Sequence, residues 1–410
     1  MEKLLHYTWR HKMLPLEGLR TTDGRPVEVV DPGLYNRSDA GPDFFNAKVK
    51  IDGLLWIGNV EMHVQASDWY RHRHDSDPAY DNIVLHVVMK DDMEVTTSQG
   101  KVLVTAELPV PPQLKADYEE LLYADEFPPC YKMIPSMPGL KVHSWLSALQ
   151  TERLERKTTD VMERVKQLGD SWEDAYFVTL ARNFGFGING DIFETWAKTL
   201  PLSAAAHHRD DLFQIETLFI GYSGLLDKVE EKYAREWAYL SKKFSLTPMD
   251  ASQWKYLRMR PQNFPHVRLL QLARMYHENR TGISALLECK TVAEVGSLYN
   301  VSGSKLGLFV INTAAPAIFA YGRQHGKEEL CERAFDMLES IKPEDNKVIR
   351  MWRECGIEVR SAGDTQALLQ LKNEYCDHKE CLRCRFGYEF LRGEYRQAFL
   401  HDSIEPEETP

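Results

Sequence analysis

The 410-residue chain has no uninterrupted apolar run of about eighteen residues, which removes the usual signature of a membrane-spanning helix. Its opening "MEKLLHYTWRHKM" is charged and amphipathic and does not read as a secretory leader, so a cytoplasmic protein without membrane attachment is the expectation. Seven cysteines are too few and too unevenly spread for a secreted disulfide framework. No repeat of convincing period and no low-complexity tract is found, which leaves solenoids and arrays aside. Basic residues are also short, 50 Lys and Arg against 61 Asp and Glu, a net charge of -11. That balance excludes a broad electrostatic footprint for duplex DNA, and any contact with nucleic acid must be local.

What is present is the material of ordinary folded domains. Hydrophobic residues make up 43% and aromatic residues 11% of the chain, and its length favours two or three domains. Up to residue 125, β-rich segments alternate with turn signals: "PVEVV", "NAKVKI", "LLWIGNVEMHV", "NIVLHVVM" and "KVLVTAELPV" are five candidate strands. A proline-rich stretch over residues 126–140 follows. Beyond it, apolar residues recur at helical spacing over 144–168, 171–184, 190–199, 210–227, 230–242 and 266–278. The expectation is an α+β protein: a mixed-sheet domain over 1–125, a linker over 126–140, an all-α domain over 141–395 that ends in a cysteine-rich segment, and a disordered tail over 396–410.

The chemistry concentrates in "AGPDFFNAKVKIDGLLWIGNVEMH", residues 40–63. Asp52-Gly53 between two strand-like runs is a strong hairpin signal, and it sets Asp43 and Glu61 on neighbouring strands. Alternation along a strand sends Glu61, His63 and Gln65 to one face and Val60, Met62 and Val64 to the other. Polar groups on so apolar a strand are costly to bury without partners, which suggests that they line a cleft. One Asp and one Glu converging on a sheet supply hard oxygen ligands for Mg²⁺ or Mn²⁺, as a metal-dependent phosphodiesterase needs. The bland alternative is a tight turn whose Asp caps a backbone N–H.

Pro42-Asp43 followed by Glu61-x-His63 resembles the PD-(D/E)XK nuclease superfamily, with histidine where lysine is usual. Over most of its length the chain is similar to an uncharacterised bacterial family of unknown function, through "GPDF", "GNVEMH", "SDWYRHRHDSDPAYDNIVLHVV", "FGFGING", "IETLFIGYSGLL", "MRPQNFPHVRLLQLA" and "YCDHKECLRC". The resemblance implies a restriction-endonuclease-like sheet domain that hydrolyses phosphodiester bonds in DNA or RNA with Mg²⁺ or Mn²⁺, with Asp43 and Glu61 as metal ligands and His63 in the lysine position. The other reading is a nuclease-like nucleic-acid-binding or scaffold protein that has lost its chemistry. Unlike lysine, histidine titrates near neutrality and serves as a water-activating base or as a ligand.

Three further constellations stand out. In "SDWYRHRHDSDPAYDNIVLH", a helix would place Asp68 with His72 and Tyr70 with His74, and either histidine could join Asp43 and Glu61 at the scissile phosphate or bind zinc. In "YCDHKECLRCRFG", Cys376, Cys381 and Cys384 form C-x4-C-x2-C, a spacing that suits zinc and, as the second choice, an iron–sulfur cluster. His378, Cys130 and Cys355 are the options for a fourth ligand there; buried packing of the thiols is the alternative. In "WKYLRMRPQNFPHVRLLQLARMY", Arg258, Arg260 and Arg268 among aromatic residues are candidates for phosphate contacts, against the commoner use of such a stripe to pack helices.

Overall fold

In the computed structural model, residues 1–12, 18–36, 40–124, 128–185 and 187–393 are described. The expected tail over 396–410 and residues 126–127 of the expected linker lie outside them. The chain forms two units, Met1–Pro138 together with the segment from Lys372 onward, and Gly139–Leu371.

The first unit is built on a mixed sheet. Its strands are β1 (Val27–Asp31), β2 (Leu34–Tyr35), β3 (Phe44–Ile51), β4 (Leu54–Gln65), β5 (Ile83–Lys90) and β6 (Thr105–Glu107), in the order β1-β3-β4-β5-β6, with β2 pairing with β3. The first part is antiparallel, whereas β4, β5 and β6 run parallel. Asp52 and Gly53 both take left-handed backbone, φ 51° and 80°, and close β3 onto β4 with Ile51 opposite Leu54. Two such residues make the turn whose twist matches that of its flanking strands. All five expected strands form, and the two-residue β2 was not legible.

A parallel neighbour requires a crossover, and residues 66–82 supply it between β4 and β5. It holds a single turn of helix α2 (Asp68–Arg71) and two 3-10 turns, His74–Ser76 and Pro78–Tyr80. Trp69 anchors it, fully buried in a small core with Tyr80, Ile83 and Val88. Helix α1 (Glu2–His11) packs on β4 with Leu4, Leu5 and Trp9 fully buried. Helix α3 (Pro112–Tyr123) stays with the sheet.

The second unit is helical. It opens with α4 (Gly139–Gln167), α5 (Trp172–Phe184) and α6 (Gly190–Thr199) and encloses a core that includes Phe177, Trp196 and Phe219. The stretch "FGFGING" connects α5 to α6. Among the described residues, one helix, Gly303–His325, is long and apolar enough to cross a membrane, and most of it is buried within the protein.

Two expected boundaries need correction. The sheet unit runs to Pro138 rather than 125, and the cysteine-rich segment belongs with it rather than with the helical domain. The reason is packing: Cys376, Cys381 and Cys384 share a small cavity with Leu121 of α3 and with Cys130.

The strand that follows Asp43 is shaped by a close backbone approach. Gly33 has φ +89°, and a Cβ there would lie 2.6 Å from the Phe45 carbonyl oxygen and 2.9 Å from the Ala47 nitrogen. Gly24, with φ +90°, has open space around it. Gly24→Ala should therefore cost about 1 kcal/mol through backbone strain alone, and Gly33→Ala at least about 2–3 kcal/mol because strand β3 must also move. Thermal melts of the two variants check this; equal losses would show that the contact with β3 is unimportant.

Candidate functional site

Glu61 and His63 lie on one face of β4, as alternation predicts, but both faces are covered. Glu61 is 5% and His63 1% exposed. The Pro-Asp element and the Glu-x-His strand clasp each other reciprocally. The Asp43 N–H donates to Glu61 Oε2 at 3.0 Å, and the Met62 N–H donates to Asp43 Oδ2 at 2.9 Å. A bulge sets this up: between Phe44 and Ala47 strand β3 carries one extra residue relative to β4, and Asn46 takes left-handed backbone at φ 55°. Bulges re-aim neighbouring side chains.

Around Glu61 stand imidazoles. His74 Nε2 is 3.2 Å and His63 Nε2 3.8 Å from Glu61 Oε1, and His72 Nδ1 is 3.1 Å from His63 Nε2. The crossover delivers His72 and His74. Its helix stops after Arg71, and Arg73 turns left-handed at φ 64°, which carries the chain back so that His74 is buried and stacked on Tyr80 at 3.8 Å. The expected helical pairing of Asp68 with His72 does not form. Asp68 instead accepts from the Gln65 N–H at 3.1 Å and pairs with Arg71 at 2.9 Å, which frees His72 to face His63.

Two histidines of the site escaped the sequence reading as participants. His86, fully buried on β5 beside Glu61, lies 2.9 Å through Nε2 from His63 Nδ1. His6, buried on α1, is 3.2 Å through Nε2 from Asp43 Oδ2. The parallel register signals the first; nothing local signals the second.

Burial governs the electrostatics of the cluster. Burial, then the like charge of Asp43, pushes the Glu61 carboxyl far above the usual carboxylate range. Burial, reinforced by neighbouring histidines, drives His63 down to about 2 and His86 to about 3, and burial lowers His74 as well. These imidazoles are neutral and carry a free lone pair, the form that binds metal. His6 differs: burial opposes its charge, but the hydrogen bond and the charge of Asp43 outweigh that and leave its pKa raised.

His63, His72 and His74 each offer a ring nitrogen within 4.8 Å of the others. Metal–nitrogen bonds of about 2.0–2.1 Å in a tetrahedron put donors roughly 3.4 Å apart, so these spacings with Glu61 Oε1 suit one ion. Three nitrogens and one oxygen fit zinc or another imidazole-binding ion; Mg²⁺ demands an octahedron of oxygens, and this donor set does not fit it. Asp43 Oδ2 is already engaged by the Met62 N–H and His6. Its bonds make Asp43 the residue that orients Glu61.

His6 also lines a pocket of about 560 Å³ with Lys3, Arg10, Lys379, Arg383, Tyr35 and Tyr118. His378 lines this pocket and is not among the residues that line the cavity of the cysteines. Cys376, Cys381 and Cys384 do come together, with Cys130 as their neighbour, whereas Cys355 belongs to the second unit. None of the seven cysteines is in a disulfide. The arginine stripe is in the second unit. Arg258 and Arg260 are exposed, but Arg268 is 3% exposed and donates to Gln271 at 2.8 Å and to Asn263. Arg268 thus holds the turn before its helix and is not a phosphate contact, and Tyr256 packs on Phe264 and His266.

The chain matches the family described as "Protein of unknown function (DUF2851)" over residues 2–306 and 297–347, and it belongs to that family. No curated protein and no solved structure matches it significantly.

His72 is exposed, so His72→Ala should leave the melting temperature of the metal-free protein within a degree or two. It should weaken Zn²⁺ binding at least about tenfold in calorimetry, since even supporting residues of metal sites are worth that much. Equal zinc affinity in both proteins would remove His72 from the site.

Proposed function

We propose that the first unit is a metal-dependent phosphodiesterase acting on nucleic acid, with His63, His72, His74 and Glu61 as ligands of a divalent ion of the zinc class. The observation that carries this reading is His6, which stands at once against Asp43 beside the histidine cluster and in the wall of a basic, tyrosine-lined pocket. Four cationic side chains, Lys3, Arg10, Lys379 and Arg383, suit phosphate groups, and rings such as Tyr35 and Tyr118 suit the faces of unpaired bases. That combination favours single-stranded DNA or RNA over an intact duplex, in keeping with the chain's net charge of -11. Cysteines outside any disulfide accord with work in a reducing cytoplasm.

When bound, the ion supplies Lewis-acid polarisation and a water acidic enough to attack at neutral pH. The chain does the rest. Asp43 holds Glu61 through its N–H and keeps His6 protonated through its carboxylate. His86 receives or donates the proton at His63 Nδ1 and so fixes which nitrogen of His63 faces the cluster. Protonated His6 donates its Nε2 N–H to Asp43 and keeps a second, unpaired N–H at Nδ1, with which it serves as general acid to the leaving oxygen. The histidine at position 63 then ligates the ion and does not replace the lysine of the PD-(D/E)XK pattern as a base.

Cleavage of single-stranded DNA and RNA by the full chain, with Zn²⁺, Mn²⁺ and Mg²⁺ compared, tests the reading. Activity is expected with Zn²⁺ or Mn²⁺ above Mg²⁺, and Glu61→Gln should abolish it. Because His6 must be protonated, the rate should fall as pH rises through its raised pKa, above 6.5. His6→Gln should lower kcat by about 10²–10⁴ and erase that limb of the profile. Nucleic-acid binding without cleavage under any metal would point to a silent, nuclease-like binding protein instead.

A further inference from the structure

The cysteines form a second centre, independent of the histidines. Cys130 sits in the turn after α3, and its carbonyl accepts from the Met133 N–H at 3.1 Å. Cys376 closes the helical stretch that ends the Leu371–Cys376 turn, Cys381 opens the 3-10 turn Cys381–Arg383, and Cys384 caps the helix Arg385–Arg392. The chain bends tightly between them. Lys379 is left-handed at φ 55°, and a Cβ on Gly387 would fall 2.1 Å from the Cys381 carbonyl oxygen, so only glycine lets that helix lie against the loop.

These four thiols, from the two chain segments that build the unit, line one small cavity with Leu121, Pro129, Tyr375 and Gly387. Cys130, Cys381 and Cys384 are buried, 7 to 8% exposed, and none is in a disulfide. The cavity leaves about 20 Å³ of room for the centre of a water-sized sphere. Such a sphere must stay about 3 Å from any sulfur, whereas zinc sits about 2.3 Å from each of its thiolates and would fill a tighter tetrahedron completely. Four cysteines lining a void that admits a water-sized sphere leave more room than one tetrahedral ion would, which suits a polynuclear centre. An apolar surround such as Leu121 and Tyr375 keeps water from it, one of the levers that govern such clusters.

We infer that Cys130, Cys376, Cys381 and Cys384 ligate an iron–sulfur cluster that ties the turn after α3 to the C-terminal segment. Cys130 is the fourth ligand that C-x4-C-x2-C lacks. The cluster's place in the first unit makes its role one of holding Lys379 and Arg383, which line the basic pocket, on their loop.

The test is direct. The full chain, produced with iron and cysteine supplied and purified without oxygen, should be brown, with broad visible absorption that bleaches on reduction. It should hold iron and acid-labile sulfide in equal amounts, up to about four of each per chain. Cys130→Ser and Cys381→Ser should each lose most of both, while Cys355→Ser retains them. Stoichiometric zinc without sulfide would overturn the proposal in favour of a single ion. Protein free of both metals from that preparation would overturn it in favour of plain packing, and full iron and sulfide in Cys130→Ser would remove Cys130 as ligand. Analysis of the unsubstituted chain decides between cluster, zinc and neither even if a variant fails to fold, and failure of the phosphodiesterase reading leaves this result untouched.

Discussion

A carboxylate buried without a permanent positive partner governs the first unit. Glu61 is almost wholly removed from water, faces neutral imidazoles and has Asp43 for its nearest acidic neighbour. Ionising it there costs several kcal/mol unless charge is supplied, so the site is stable in two states only: protonated, or paired with a cation. Its neighbours support the second. Burial strips His63 and His74 of their charge and leaves lone pairs, and one Glu61 oxygen is spent on the Asp43 N–H so that the other faces the nitrogens.

The surrounding fold meets that demand with short-range devices. A two-residue turn fixes the register of β3 on β4, a bulge turns Asp43 inward, and a crossover with barely one turn of helix returns His74 to the sheet. A longer crossover helix would have carried His72 and His74 past the strand. Trp69 and Tyr80 hold the crossover down, so the two histidines ride on a packed segment even though His72 itself meets solvent.

The loop bearing Lys379 and Arg383 brings positive charge to a sheet unit whose own first 125 residues hold 13 Lys and Arg against 21 Asp and Glu. The cationic pocket is thus assembled from both ends of the chain, with Lys3 and Arg10 from α1. The helical unit, by contrast, spends its most buried arginine internally. Arg268 fastens the turn at Asn263, which is why a basic stripe that looks like a phosphate contact in sequence does not offer that residue to a ligand.

The sequence by itself determined whatever depends on neighbours along the chain. Period-two alternation put Glu61 and His63 on one face, Asp52-Gly53 brought Asp43 opposite Glu61, the spacing of three cysteines marked them as a group, and helical periodicity announced the second unit. Tertiary structure alone decided what depends on chain segments meeting from afar: His6 arriving on α1, His86 arriving by parallel register, Cys130 joining thiols about 250 residues further along the chain, and the cysteine segment folding onto the sheet unit. Local pattern encodes which face a side chain takes, through the fixed geometry of strand and helix. Which distant face it meets is set by packing of whole elements, a choice made by the sum of many apolar contacts that no short stretch of sequence contains.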